Sequence, residues 1–120
     1  MIKIRRVYDP STADEGVCFL VDRLWPRGVK REALHLEAWL KEVAPSNNLR
    51  LWYNHETAKW EEFCQRYFTE LDNKPDVWLS ILEAARKGNV TLLYSTREIE
   101  HNNAVALKLY LDQKLAEGRN

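Results

Sequence analysis

Val17-Cys18-Phe19-Leu20-Val21 runs without a break into Asp22-Arg23-Leu24-Trp25-Pro26-Arg27-Gly28. The first five residues are apolar and β-type in composition, which reads as a buried strand. The chemistry then changes abruptly, to one acid, two arginines, a tryptophan, a proline and a glycine within seven residues. α/β proteins place ligands in loops of this kind, at the end of a buried strand. Arg23 and Arg27, four residues apart, offer planar multi-donor forks suited to phosphate or carboxylate. Trp25 can wall a pocket or stack on something flat, and Pro26 fixes the path between the arginines. In the plainer reading, Asp22 pairs with Arg23 or Arg27 and only pins the loop.

Upstream, Ile2 to Val7 alternates apolar and basic residues, the period-2 pattern of a half-exposed strand. The turn from Asp9-Pro10-Ser11 to Gly16 is too short for a helical crossover. Strands one and two are therefore either antiparallel or not neighbours. Downstream, Leu36, Trp39, Leu40 and Val43 fit helical spacing while Leu36, Ala38 and Leu40 fit alternation. We expect one helical turn after Gly28 and a short strand near Trp39. Ser46 is an N-cap for a short helix through Leu49, Trp52 and Tyr53. From Thr57 to about Leu71, an apolar stripe of Trp60, Phe63, Cys64, Tyr67 and Leu71 predicts a long amphipathic helix. Such a stripe is core far more often than a cofactor box. Pro75 opens another helix that Gly88 ends. Val90 to Tyr94 is a second buried strand, and Asn102 or Asn103 caps a last helix facing inward through Ala104, Leu107, Leu111 and Leu115.

These elements predict an α/β fold over residues 1–120 as one domain: a small single-layer sheet of three to four strands, at least partly parallel, covered by about four to five helices. Eighteen basic and eighteen acidic side chains leave a formal charge of zero. That balance weighs against a broad electrostatic footprint on duplex DNA, though not against a local basic pocket. No signal-like N-terminus and no apolar run of the roughly 18 residues a bilayer requires is visible, so we expect a cytoplasmic protein without membrane contact. Cys18 and Cys64 read as two lone buried thiols rather than a disulfide.

Parallel strands would bring several loops to one edge. Asp22, Arg23, Trp25 and Arg27 follow the second strand, Ser46 the third, and Thr96, Arg97, His101 and Asn102 the last. Cations and helix starts gathered there make an anion pocket the natural hypothesis, conditional on that parallel arrangement. Arg23, Trp25, Arg27, Ser46, Thr96, Arg97, His101 and Asn102 are the candidate ligand-binding residues. Asp22 and His55 are the acid–base candidates, because histidine titrates near neutral pH. For His55 the plainer reading is a loop histidine bonded to neighbouring backbone. The three histidines have no ligand-like spacing and no Cys-x-x-Cys occurs, so no metal is expected; nor is any nucleotide-type glycine motif or cofactor.

Val21 to Gly28 also resembles the signature of the YeaO-like branch of the domain-of-unknown-function family 488. Supporting matches are Arg6-Val7-Tyr8-Asp9, Ala44-Pro45-Ser46, Trp60 with Phe63 and Tyr67, and Val90 to Tyr94. Together they cover nearly the whole chain. The resemblance implies a parallel α/β sheet with a shortened first connection and a short strand ending at Ala44-Pro45. In the broader family a Cys-His-Arg triplet often follows the last strand. Glu100-His101-Asn102 stands at that place here, so thiol chemistry is not carried over. The family has no settled activity.

The resulting expectation is a small protein that holds an anionic compound, phosphorylated or nucleotide-like, at the strand ends, either as an enzyme or as a binder. The alternative is a nucleic-acid-associated or regulatory interaction module without catalysis. An anionic small molecule is the favoured partner and nucleic acid the less favoured one, while the oligomeric state is left open.

Overall fold

The computed structural model describes residues 1–118. Strands β1 (Ile2–Arg6), β2 (Val17–Leu20), β3 (Ala38–Trp39) and β4 (Val90–Tyr94) form one sheet in the order β1-β4-β2-β3. Every pairing is parallel. The link between β1 and β2 holds no helix, yet it runs back from the carboxyl edge to the amino edge. It must, because both strands are parallel to β4, which is inserted between them so that the two never pair. Arg6 lies opposite Tyr94, and Leu20 lies opposite both Leu93 and Trp39. All four carboxyl ends therefore share one edge.

Four α-helices follow: α1 (Asn47–Tyr53), α2 (Trp60–Asp72), α3 (Leu79–Lys87) and α4 (Asn103–Glu117). Short 3-10 turns occupy Arg31–Ala33, Lys41–Val43, Thr57–Lys59 and Pro75–Val77. The ambiguous stretch from Leu36 to Val43 is thus a two-residue strand followed by a 3-10 turn. Alternation prevails over helical spacing there because Ala38 and Trp39 find backbone partners in Phe19 and Leu20. The helical turn expected after Gly28 is Arg31–Ala33.

The two faces of the sheet are covered unequally. Ile2, Phe19, Val21, Val90, Leu92 and Tyr94 face the main core, to which all four helices contribute. Val7, Cys18, Leu20 and Leu93 face the other way, against Leu34 and a flank of Trp25, Val29, Leu36 and Trp39. Among the described residues no α-helix covers that side; the loop after β2, with its Arg31–Ala33 3-10 turn, and the β1–β2 link at Glu15 do. β4 is buried along its whole length, as expected of a central parallel strand with both faces covered. On α2 the stripe behaves as core: Phe63, Cys64, Tyr67 and Leu71 are buried and Trp60 is half-buried. Full burial of one such side chain contributes about 1.5–3 kcal/mol.

Gly16 has a φ of +67° at the entry to β2, and a Cβ built there would lie 1.8 Å from the Asn89 carbonyl oxygen. That crossing, just ahead of β4, accepts only glycine. Among the described residues no helix is long and apolar enough to cross a membrane.

Candidate functional site

Asp22 leaves β2 at the shared carboxyl edge. One carboxylate oxygen accepts from the Ser95 backbone N–H at 2.9 Å and the Ser95 hydroxyl at 2.7 Å. The other accepts from Asn103 Nδ2 at 3.1 Å, which also donates to the Val21 carbonyl. The Asp22 carbonyl receives the Trp39 indole N–H at 2.8 Å. One residue therefore ties together the exits of β2, β3 and β4 and the start of α4. Burial pushes the Asp22 carboxyl above its ordinary range, opposed by the hydrogen bonds from Ser95 and Asn103. The pairing with Arg23 or Arg27 that would make Asp22 a simple salt-bridge pin does not form.

Arg23 turns toward the helical side. Its Nη2 donates to the Ala44 and Pro45 carbonyls, each at 3.2 Å. Its Nε is buried without a hydrogen-bond partner, and it makes no ion pair among the described residues. Next in the chain, Ser46 caps α1 by accepting from Leu49 N–H. The Ser46 backbone N–H and hydroxyl donate to the two oxygens of Glu70, at 2.9 and 2.6 Å. Tyr67, one turn before Glu70 on α2, donates to the Val43 carbonyl at 2.6 Å. Burial holds the Tyr67 phenol far above its ordinary range, with Glu70, Arg23 and Asp22 all acting on it. Asp22, Arg23, Ser46, Tyr67, Glu70, Ser95 and Asn103 thus form one neighbourhood.

The exit loop of β4 carries the other candidates. Arg6 Nε donates to the carbonyls of Ser95 and Thr96. The Thr96 hydroxyl accepts from Glu98 N–H, and Arg97 is exposed without a side-chain bond among the described residues. His101 Nδ1 lies 2.9 Å from Glu98 Oε1, and its ring stands edge-on to Trp60 with centroids 5.1 Å apart. Asn102 is buried and caps α4, accepting from Val105 N–H and donating to the Glu98 carbonyl.

His55 lies outside this neighbourhood, exposed on the loop after α1 with a φ of 56°; its recorded ring neighbour is Tyr53, at 6.4 Å. Trp25 and Arg27 also part from Arg23. The Trp25 indole N–H donates to the Val29 carbonyl at 2.7 Å, and its ring packs against the helix-free face. The Arg27 side chain is exposed, and only its carbonyl is engaged, by the Tyr8 hydroxyl. A groove of about 480 Å³ lies elsewhere, between the Asp9–Ser11 turn and Gly28–Leu34.

Arg23 thus presents a half-buried guanidinium with no ion-pair partner among the described residues, and Asp22 is held rigidly rather than free. No group of His, Cys, Asp and Glu side chains among the described residues is placed to bind a metal. Tyr67, Glu70 and Asn103 escaped the sequence reading as parts of the site. Tyr67 was indistinguishable from the rest of an apolar stripe, and Glu70 from any polar position on the outer side of α2. Asn103 differs from Asn102 only in which of the two faces the sheet.

A family model described as the inactive DUF488-N3 subclade matches residues 1–120. The uncharacterized protein YeaO of Escherichia coli (strain K12) is 38% identical over 110 residues, covering 92% of this chain and 96% of that protein. The uncharacterized protein Rv3073c of Mycobacterium tuberculosis (strain ATCC 25618 / H37Rv) is 32% identical over 111 residues, covering 92% and 93% respectively. No solved structure matches.

Proposed function

The chain belongs to the DUF488 family, in the subclade described as inactive, and we propose that it binds an anionic small molecule, phosphorylated or nucleotide-like, without turning it over. The observation that carries this reading is the state of Arg23. It is a half-buried guanidinium with no carboxylate partner among the described residues and a buried Nε that bonds to nothing. An unsatisfied buried donor is costly, more so when charged. A phosphate or carboxylate oxygen beside Nε removes that cost through a charge-assisted bond. The site stands where open parallel sheets bind ligands, and Arg97 on the adjacent exit loop is a second cation within the same edge. Two features favour binding over turnover. Both Asp22 oxygens are committed to Ser95 and Asn103, and the subclade is described as inactive.

Thermal-shift screening of phosphorylated metabolites and nucleotides tests the proposal, because a ligand selective for the folded state raises the melting temperature. At least one compound is expected to raise it, and Arg23→Lys, which keeps the charge but loses the planar fork, should abolish the shift. A library with no hit, or a hit whose shift survives in Arg23→Lys, would refute it.

A further inference from the structure

We infer that the helix-free side of the sheet carries a surface for single-stranded nucleic acid, built on Trp25 and Trp39 and distinct from the Arg23 crevice. The chain as a whole is neutral, yet Arg23-Leu24-Trp25-Pro26-Arg27-Gly28-Val29-Lys30-Arg31 holds four cations and no acid. Past Arg23 this segment wraps the face that no helix covers, leaving Arg27, Lys30 and Arg31 exposed, as is Lys41 beyond β3. None of these four makes an ion pair among the described residues. Some cations elsewhere do find partners among the described residues, as in Lys59–Glu56, Arg66–Glu62 and Lys108–Asp112, and others such as Arg50, Lys74 and Lys87 do not. What sets these four apart is that they share one face with Trp25 and Trp39.

The two tryptophans form a fixed platform. Each indole N–H is bonded to a backbone carbonyl, that of Val29 for Trp25 and that of Asp22 for Trp39. The rings meet edge to face, with centroids 5.4 Å apart and planes at 71°. The Arg31 guanidinium lies over Trp25 at 4.8 Å and over Trp39 at 5.6 Å, and Lys41 Nζ over Trp39 at 4.7 Å. A guanidinium backed by an aromatic ring keeps its outer face for a base and its edge N–H groups for phosphate. Half-buried tryptophans flanked by unpaired cations are the combination that single-strand binders use: a cationic track for the backbone and flat groups for successive bases. Duplex fits less well. Its bases are hidden, and Glu32, Glu37 and Glu42 interrupt the wider positive footprint it requires.

Fluorescence anisotropy of a labelled oligothymidylate of about 12 nucleotides, long enough for one binding module, tests this on the intact chain. Binding in the micromolar range is expected, weakening with salt at a log–log slope of about −2 to −3 if three or four phosphates are neutralised. The double substitution Arg27→Glu with Lys30→Glu, both on exposed side chains that lie over neither tryptophan ring, should weaken it at least tenfold without lowering the melting temperature. Arg23→Lys should leave it unchanged, which separates this surface from the anion crevice. The inference is overturned if no binding occurs at roughly 100 μM protein in low salt, the weak limit of ordinary non-specific binding. Unaltered affinity in the double variant, or equal affinity for a duplex of the same length, would overturn it too.

Discussion

Replacing Asp22 tests whether this carboxylate is the clasp of the fold. In Asp22→Ala the Ser95 N–H and the Ser95 hydroxyl lose their acceptor at once, and Asn103 Nδ2 is left with the Val21 carbonyl alone. Hydrogen bonds to a charged group are worth about 1.5–3 kcal/mol each, so the gross loss is several kcal/mol. Against it stands the relief of no longer burying a carboxylate, a cost made visible by the raised pKa of Asp22. Water also reaches part of this half-buried site. The net expectation is a destabilisation of about 2–4 kcal/mol, which for a domain of this size lowers the melting temperature by roughly 8–16 °C. Asp22→Asn keeps the volume but turns an amide NH₂ toward one of the donors, and should cost less, about 1–2 kcal/mol. Its pH dependence has a definite sign. Because burial raises the folded-state pKa, protonation favours the folded chain. The contribution is full below the ordinary value of 3.8 and is lost as pH rises through the raised folded value. The stability gap between wild type and Asp22→Asn should therefore narrow from acid toward neutral pH. Urea denaturation of the three proteins, followed by circular dichroism at several pH values, measures all of this. An Asp22→Ala chain within about 0.5 kcal/mol of wild type would refute the clasp. A gap that widens with pH would show instead that the site favours the ionised form.

Two further expectations follow from burial and backbone. Gly16→Ala must place a methyl group against the Asn89 carbonyl while holding a positive φ; we expect a loss of about 3 kcal/mol or more in chemical denaturation, from conformational and overpacking costs together, and a neutral result would mean that the crossing is slack. Burial pushes the Cys64 thiol up to about 11 and raises Cys18 as well. Both should resist an aromatic disulfide reagent at pH 7 until the chain is unfolded, so rapid native-state labelling would contradict their burial.

The sequence alone determined the periodic elements. The runs at Val17–Val21 and Val90–Tyr94, the α2 stripe, the Ser46 cap and a cap at Asn102 or Asn103 were all legible, because helix and strand periods and cap chemistry are local properties. It also located a polar, arginine-bearing loop at a strand end. It did not settle how the strands pair. The short β1–β2 link has no room for a helix but does not say what lies between the two strands; β4, seventy residues on, fills that gap because a run apolar at every position needs cover on both faces. The same long-range placement divided the Asp22–Gly28 loop. Arg23 went to the helical side with Tyr67 near it, while Trp25 turned to the bare face and met Trp39. Adjacent residues carry no local signal of which face of a sheet they will join. That choice falls to packing partners remote in the chain, and here those partners separate the anion crevice from the tryptophan platform.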